Sequence, residues 1–219
     1  MPARAARAAG GLRWSQLERD LQRRHGPLLA ALDEVGRGPL AGPVVVCALV
    51  MPPDAPEVPG VDDSKKLAPD ARARVAALVR AAALACALGA ASAREVDELN
   101  VYGATVLAMR RALRRLAGPA AAGGLGRTPD HVLVDGKPVR TLGVEHTAVV
   151  GGDAQCYAVA CASVVAKVTR DRLMGALARR HAGYAWDRNA GYPTPAHRAA
   201  VAALGPTPHH RRTFLRCGP

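Results

Sequence analysis

Aromatic residues are scarce in this sequence. Phe, Trp and Tyr together make up 3% of the 219 residues, whereas hydrophobic residues of all kinds make up 49%. A chain of this length can bury one substantial core, and here that core must be packed mainly by alanine and valine. We therefore expect one principal domain.

Several other features are missing, and each absence excludes a class of protein. No run of about 18 apolar residues is present, so no membrane span is predicted, and the basic first residues lack the apolar core of a signal peptide. The five cysteines are odd in number and form no CxxC pair. Because Cys47, Cys86 and Cys161 lie in apolar stretches, we interpret them as small core residues, and we predict a reducing, cytoplasmic location. The absence of a GxxxxGK[ST] loop argues against a nucleotide-binding kinase or GTPase.

Acidic residues are outnumbered by basic ones. The chain has 30 Lys and Arg against 18 Asp and Glu, which gives a formal net charge of +12. A compact protein with this charge is expected to meet a polyanion, and nucleic acid is the first candidate. Composition alone leaves open a second explanation, an arginine-rich bias inherited from a GC-rich genome.

The order of predicted elements indicates the fold class. Short apolar runs bracketed by glycine and proline predict strands at 28–32, 44–50, 84–92, 131–136 and 144–150. Helical patterns occur at 15–25, after Pro69, at 101–118, at 157–181 and near 196–204. Three strands come early and later strands alternate with helices, so we predict a mixed α/β sheet with helical flanks.

Four carboxylates are predicted at strand ends. Asp33 and Glu34 end the first strand, Asp135 ends a later one, and Asp153 follows the next strand after two glycines. The ends of neighbouring strands meet in an open α/β sheet, where four acids would repel one another unless cations were bound. Each acid alone is more often a turn former or helix cap. Together they predict a site for Mg²⁺ or Mn²⁺, since these stretches lack the His and Cys ligands that zinc favours.

Seven motifs carry a resemblance to a known family. In chain order they are "DEVGRGPLAGPVV", "DDSKKL", "VDELNVYGATVLAMRRAL", "VDG", "GGDAQCYAVACASVVAKVTRDRL", "GYPTPAH" and "GPTPHHRRTF". From about residue 29 to 214 the chain resembles bacterial ribonuclease HII. The resemblance implies an α/β ribonuclease H-like fold: a five-stranded mixed sheet flanked by helices, with a C-terminal helical extension. It divides the chain into a leader, 1–27, partly disordered with a short helix, and a catalytic domain, 28–219.

The resemblance also implies an activity. It indicates a metal-dependent endonuclease that hydrolyses the RNA strand of RNA–DNA hybrids and cuts 5′ of single ribonucleotides embedded in duplex DNA. Asp33, Glu34, Asp135 and Asp153 match the family's metal-binding acids, which hold two Mg²⁺ or Mn²⁺ ions during catalysis and leave 3′-hydroxyl and 5′-phosphate ends. We expect a monomer that does not associate with membranes. The alternative, a non-enzymatic basic nucleic-acid-binding protein, explains the charge but not the clustered acids, which repel phosphate.

Further positions gain substrate-binding roles from the resemblance. In the family, the turn formed here by Gly36, Arg37 and Gly38 reads the 2′-hydroxyl through its backbone, because glycine allows the main chain to approach closely. Tyr192 in "GYPT" matches the residue that senses the RNA-to-DNA junction by packing on the sugar. Taken alone, the first could be a plain tight turn and the second a half-buried packing residue.

Charged residues outside the acid set have simpler interpretations. Lys65 is predicted to contact a substrate phosphate, although Lys65 and Lys66 could equally be a solvated charge pair. Asp171 lies four residues after Lys167 on a predicted helix, so we interpret it as an ion-pair partner and leave it out of the catalytic set. The basic stretch 209–212, "HHRR", lacks metal-ligand spacing and is interpreted as a structural or phosphate-facing segment.

Overall fold

The computed structural model describes residues 11–53 and 55–216, which form five strands and seven α-helices. The strands are β1 (Leu29–Val35), β2 (Val44–Val50), β3 (Ala85–Ala91), β4 (His131–Asp135) and β5 (Thr147–Val149). The helices are α1 (Gln16–His25), α2 (Pro69–Ala82), α3 (Ala93–Leu116), α4 (Tyr157–Arg180), α5 (Trp186–Asn189), α6 (Pro195–Leu204) and α7 (Arg212–Arg216).

The five strands form one mixed sheet, as predicted. Their order is β3-β2-β1-β4-β5; β2 is antiparallel to β1 and β3, whereas β4 is parallel to β1 and β5. The strand predicted at 144–150 is shorter than expected, because only Thr147–Val149 pairs with β4. The first strand is longer than predicted, since it runs through Asp33 and Glu34 to Val35.

Helix α3 begins eight residues earlier than its amphipathic pattern predicted. Ser92 and Glu95 form a capping box, in which each side chain accepts a hydrogen bond from the other residue's backbone N–H. Asn100 then interrupts the helical conformation with φ 56° and ψ 171°. The clear apolar stripe lies beyond this kink, which is why the pattern alone indicated a start at residue 101.

Helices cover both faces of the sheet. Alternate residues of β1 face opposite sides, so Leu29 and Ala31 pack with α2 and α4, while Ala30 and Leu32 pack with α3. The first half of α4 is buried almost throughout. Cys47 and Cys161 lie in the core as predicted, and the cysteines among the described residues are free.

Helix α1 is joined to α4 by a buried carboxylate. Glu18 completes a capping box with Ser15 and also accepts hydrogen bonds from the N–H groups of Tyr157 (3.1 Å) and Ala158 (2.8 Å) at the start of α4. A negative charge is favourable at this end of a helix. The first ten residues of the predicted leader lie outside the described residues, and the boundary at residue 28 stays a prediction.

The C-terminal helices pack around a small aromatic cluster. Tyr184 and Trp186 are buried with Met174 and Ala41, and the Trp186 indole donates to Nε2 of His197 at 2.9 Å. This is the predicted C-terminal helical extension. None of the helices formed by the described residues combines the length and apolar character needed to cross a bilayer.

Candidate active site

The sheet brings the four predicted acids to one edge. Asp33 and Glu34 lie near the end of β1, Asp135 is the last residue of β4, and Asp153 lies in a single 3₁₀ turn after β5. Because β1 and β4 are parallel and Leu32 pairs with Val134, the next residue of each strand reaches the same level of the sheet. The register therefore sets Asp33 beside Asp135.

The two adjacent acids of β1 have different environments. Asp33 is buried on the α4 side, where it accepts a hydrogen bond from the N–H of Glu34 at 2.7 Å. Glu34 lines a groove beside α3, and its Oε1 accepts from Nη1 of Arg37 at 3.2 Å. Its Oε2 is buried and has no hydrogen-bond partner among the described residues. A buried carboxylate oxygen without a donor is costly unless a cation completes it.

Burial, together with repulsion from neighbouring acids, raises the pKa values of Asp33, Glu34 and Asp135. Burial, followed by the negative charge of Glu34, raises the pKa of Asp33 well above its usual value. Burial also raises the pKa of Glu34, against the opposing effect of Arg37. Burial again raises the pKa of Asp135, although the N–H of Gly152 donates to its Oδ1 at 2.7 Å. These shifts show that burial, reinforced by repulsion between the acids, disfavours their ionised forms in the absence of a cation.

Asp153 has a cationic partner. Nζ of Lys65 lies 3.0 Å from its Oδ2, and this contact raises the pKa of Lys65. In the part of the chain that the structure describes, no three His, Cys, Asp or Glu side chains are arranged to hold a metal ion together. The carboxylates are instead directed to separate protein donors. An ion shared by these acids therefore requires their side chains to rotate, and the all-oxygen donor set is the kind that suits Mg²⁺ or Mn²⁺.

The glycine turn, which consists of Gly36, Arg37 and Gly38, begins directly after Val35, the last residue of β1. Gly36 has φ +91°, a conformation in which a side chain would be strained. Within residues 11–53 and 55–216, the N–H groups of Arg37 and Gly38 have no hydrogen-bond acceptor. The turn therefore offers two free backbone donors beside Glu34.

Tyr192 lies next to the glycine turn. A Cβ built on Gly38 would lie 3.7 Å from Cε1 of Tyr192, and the Tyr192 side chain is 41% exposed. The carbonyl of Tyr192 accepts a hydrogen bond from Nδ1 of the buried His197 at 2.9 Å, and this bond holds the backbone at Tyr192 in place. The structure thus brings an exposed aromatic ring to the two free donors, although 154 residues separate Tyr192 from Gly38.

Two predicted charges lie outside this cluster. Asp171 pairs with Lys167 at 2.8 Å, as predicted, and also with Arg72 at 3.4 Å. Lys66 pairs with Asp62 at 3.2 Å. Lys65 and Lys66 are therefore not equivalent, since only Lys65 contacts one of the four acids.

Two kinds of residue near the site were missed by the sequence analysis. The hydroxyl of Ser163 on α4 lowers the pKa of Asp33, against the larger effect of burial, and it lies 3.0 Å from the hydroxyl of Ser64. Arg170 and Arg211 are fully buried and bind backbone carbonyls around the glycine turn. Their presence in the "KVTRD" and "HHRR" motifs was the only available signal, and a basic residue in a motif does not by itself indicate burial.

Comparison with known proteins identifies relatives over most of the chain. Residues 30–217 match the family model of ribonuclease HII. Ribonuclease HII of Granulibacter bethesdensis is 50% identical over 198 residues, which cover 89% of this chain and 86% of that protein. The ribonuclease H2 structure from Pyrococcus horikoshii OT3 matches with a TM-score of 0.70 and 26% identity, covering 86% of this chain and 95% of that one.

A more distant structure shares the fold alone. Bst-RNase HIII in complex with Mn²⁺ matches with a TM-score of 0.63 and 20% identity, covering 89% of this chain and 70% of that one. These structural matches confirm the predicted ribonuclease H-like fold. The family model and the 50% identity show that this chain belongs to the ribonuclease HII family and is an endoribonuclease of the ribonuclease H type.

Proposed function

We propose that this protein cuts the RNA strand of RNA–DNA hybrids and also cuts 5′ of single ribonucleotides embedded in duplex DNA, leaving 3′-hydroxyl and 5′-phosphate ends. The observation that carries the proposal is the set of four acids at one sheet edge, in which one buried oxygen of Glu34 lacks a partner. Although the chain has a net charge of +12, the clustered acids repel phosphate and therefore do not suit a site that only binds nucleic acid. They are suited to chemistry assisted by divalent cations.

The acids are proposed to act as ion ligands. Two Mg²⁺ or Mn²⁺ ions, when bound, would supply the positive charge that activates water and stabilises the leaving 3′-oxygen. Asp33, Glu34, Asp135 and Asp153 would hold them, and the N–H groups of Glu34 and Gly152 orient the carboxylates of Asp33 and Asp135. The oxygen-only ligand set supports this choice of ion, as does the Mn²⁺ bound in the related ribonuclease HIII structure.

The glycine turn and Tyr192 are proposed to recognise the ribonucleotide. The free N–H groups of Arg37 and Gly38 can donate to the 2′-hydroxyl, which distinguishes RNA from DNA. The ring of Tyr192 lies beside Gly38 and can pack on the adjacent sugar. Lys65, next to Asp153, is within reach of a phosphate bound at the acids. Recognition and hydrolysis would then occur within one continuous site.

One assay tests the proposal directly. The protein is incubated with three duplexes of the same sequence: an RNA–DNA hybrid, a DNA duplex with one ribonucleotide, and an all-DNA duplex. With Mg²⁺ we expect cleavage of the first two, at the 5′ side of the ribonucleotide in the second, and none of the third. Undiminished cleavage in excess chelator would remove the two-ion mechanism. Binding of all three without cleavage would favour the non-enzymatic alternative.

We also propose that the protein acts as a monomer in the cytoplasm. The proposal rests on the sequence expectations, namely cysteines outside any disulfide framework and an acid set supplied by a single chain. Light scattering during size-exclusion chromatography at micromolar concentration tests the oligomeric state. A mass near 22.7 kDa supports a monomer, and twice that mass overturns it.

A further inference from the structure

Arg211 approaches the glycine turn from the C-terminal segment, on the protein side. Its Nη2 donates to the carbonyl of Gly36 at 2.5 Å, and its Nη1 donates to the carbonyl of Arg37 at 2.8 Å. The same guanidinium also donates to the carbonyl of Gly42. Arg211 is fully buried and forms no ion pair among the described residues, so its hydrogen-bond acceptors are backbone carbonyls.

A second buried guanidinium supports the same region. Arg170 donates to the carbonyls of Pro43 (3.0 Å), Ala41 (3.1 Å) and Ala190 (2.9 Å). A Cβ on Gly36 would lie 2.1 Å from Nε of Arg170, so a glycine is required for this close packing. Burial lowers the pKa of both arginines, to about 10 for Arg211. Burying two positively charged side chains destabilises the fold. A loop that served only to connect β1 and β2 would not need them.

Peptide geometry connects these carbonyls to the free donors. In a trans peptide, the C=O of one residue and the N–H of the next point in opposite directions. No cis peptide occurs among the described residues. When Arg211 holds the carbonyls of Gly36 and Arg37, the N–H groups of Arg37 and Gly38 must therefore point away from Arg211. Neither of these two N–H groups has a hydrogen-bond acceptor among the described residues.

We infer that Arg211 is a positioning residue for ribonucleotide recognition: by binding the carbonyls of Gly36 and Arg37, it aims the N–H groups of Arg37 and Gly38 at the substrate. This inference rests on the proposed function of the glycine turn. Arg211 does not touch the substrate, and it acts through the orientation of two peptide planes. Arg170 packs behind Gly36 and limits the movement of the same segment.

The C-terminal segment is itself anchored to α3. Asp97 accepts hydrogen bonds from the N–H groups of Arg212 (2.8 Å) and Thr213 (2.9 Å), at the start of α7. The guanidinium of Arg211 also lies 5.3 Å from the ring centroid of Phe214. The "VDELN" and "HHRR" motifs, which the proposed chemistry leaves without a role, are thereby connected to the glycine turn.

The test compares Arg211→Lys with Arg212→Lys, a matched control because the Arg212 side chain is exposed. Lysine keeps the charge but cannot bind two carbonyls in the fork geometry of a guanidinium. Three quantities are measured: the single-turnover cleavage rate at saturating enzyme on a duplex with one ribonucleotide, the Kd for an all-DNA duplex, and amide hydrogen exchange in the peptide 36–43.

For Arg211→Lys we expect a cleavage rate at least about tenfold lower, because small misplacements of reacting groups are costly. The all-DNA Kd should stay within about twofold, and exchange should accelerate in the peptide 36–43 but not in 44–50. Arg212→Lys should match the wild type in all three. A wild-type rate and wild-type exchange in Arg211→Lys would overturn the inference. So would equal losses in cleavage rate and DNA affinity, because these indicate a general structural role.

Asp97→Asn serves as a second variant if Arg211→Lys does not fold. It leaves both arginines in place, weakens the anchor of α7 and removes a nearby negative charge that favours the charged form of Arg211, so we expect the same pattern with smaller changes. Wild-type cleavage and exchange in Asp97→Asn would then count against the inference. Failure of the wild type to cut the ribonucleotide duplex would instead reject the proposed function, while the exchange data would still show whether Arg211 holds the turn.

Discussion

Nζ of Lys65 lies 3.0 Å from Oδ2 of Asp153, although 88 residues separate them in the chain. The contact joins the "DDSKKL" loop to the turn that follows β5. The side chain of Lys65 is 77% exposed, whereas that of Asp153 is 10% exposed. An ammonium group in this position balances one of the four acids and can also reach a phosphate from the solvent side.

Lys65→Met tests both consequences. We expect KM for the duplex to rise severalfold. The slope of log KM against log salt concentration should fall by about one, because one phosphate contact is lost. The Mg²⁺ concentration for half-maximal rate should fall, because Asp153 loses a competing cation. Steady-state kinetics over a range of salt and Mg²⁺ concentrations measure both. Lys66→Met is the control, since Lys66 pairs with Asp62, and an unchanged KM in Lys65→Met would contradict a phosphate contact.

Neutralising the proposed ion ligands should abolish most activity. Asp135→Asn and Glu34→Gln are each expected to lower the single-turnover cleavage rate at least about a hundredfold, since charge stabilisation at the reacting phosphate is lost. Folding should survive, because raised pKa values mean that the ionised acids destabilise the native state. Melting temperatures in chelator should therefore equal or exceed that of the wild type. Asp171→Asn is the matched control, and a comparable loss there would mean that the wrong acids have been chosen.

The aromatic ring beside the glycine turn should matter most at isolated ribonucleotides. Tyr192→Ala is expected to slow cleavage of a duplex with one ribonucleotide more than cleavage of a long RNA–DNA hybrid. A hybrid offers many registers and many 2′-hydroxyls, so one lost contact costs less there. Initial rates on the two substrates, at one salt concentration, give the ratio. Tyr192→Phe keeps the ring and should preserve that ratio, whereas equal losses in Tyr192→Ala on both substrates would make Tyr192 a general packing residue.

The two glycines of the turn should respond differently to an added methyl group. Gly36→Ala places a Cβ 2.1 Å from Nε of Arg170 at a positive φ, so we expect lower stability together with lost activity. Gly38→Ala meets only the ring of Tyr192, at 3.7 Å, and should fold normally. Its cleavage rate should nevertheless fall, because the methyl group obstructs close approach of the sugar. Thermal melts and single-turnover rates separate these effects, and equal destabilisation of the two variants would be inconsistent with the packing described.

A buried histidine pair, His197 in α6 and His210 between α6 and α7, should make the fold sensitive to acid. Burial, followed by the electrostatic effect of the neighbouring His197, lowers the pKa of His210 to about 4. In the unfolded chain the pKa is about 6.5. Between these pH values the unfolded state binds more protons than the native state. The contribution of neutral His210 to the free energy of unfolding is therefore present above about pH 6.5 and is lost as pH falls toward 4. The full loss is on the order of 3 kcal/mol, because one pKa unit corresponds to about 1.4 kcal/mol.

Urea denaturation at several pH values between 7 and 4.5 measures this effect. The wild type should lose stability on acidification relative to His210→Gln, which lacks the titrating group. Comparing the two chains cancels the contribution of the active-site acids, whose raised pKa values act in the opposite direction. Parallel pH profiles in the two proteins would show that His210 does not titrate in the native state as described.

The sequence by itself determined most of the helices and strands and placed the four acids at strand ends. Apolar runs between glycine and proline located the strands, because such runs must be buried and such residues end them. The position of Asp33, Glu34 and Asp135 at strand ends predicted that they would meet, since parallel neighbours end at one edge. Local signals could also have located the start of α3, because the capping box of Ser92 and Glu95 lies within four residues.

Only the tertiary structure decided which distant groups support that site. Lys65 meets Asp153, Tyr192 meets Gly38, and Arg211 binds the carbonyls of the glycine turn, each across a separation of 88 residues or more. Short-range periodicity carries no information about such contacts, because they depend on how helices and loops pack after the sheet has formed. A sequence motif records that an arginine is present. Whether that arginine faces solvent or donates to buried carbonyls is decided by the packing of the C-terminal segment against α3 and the loop that follows β1.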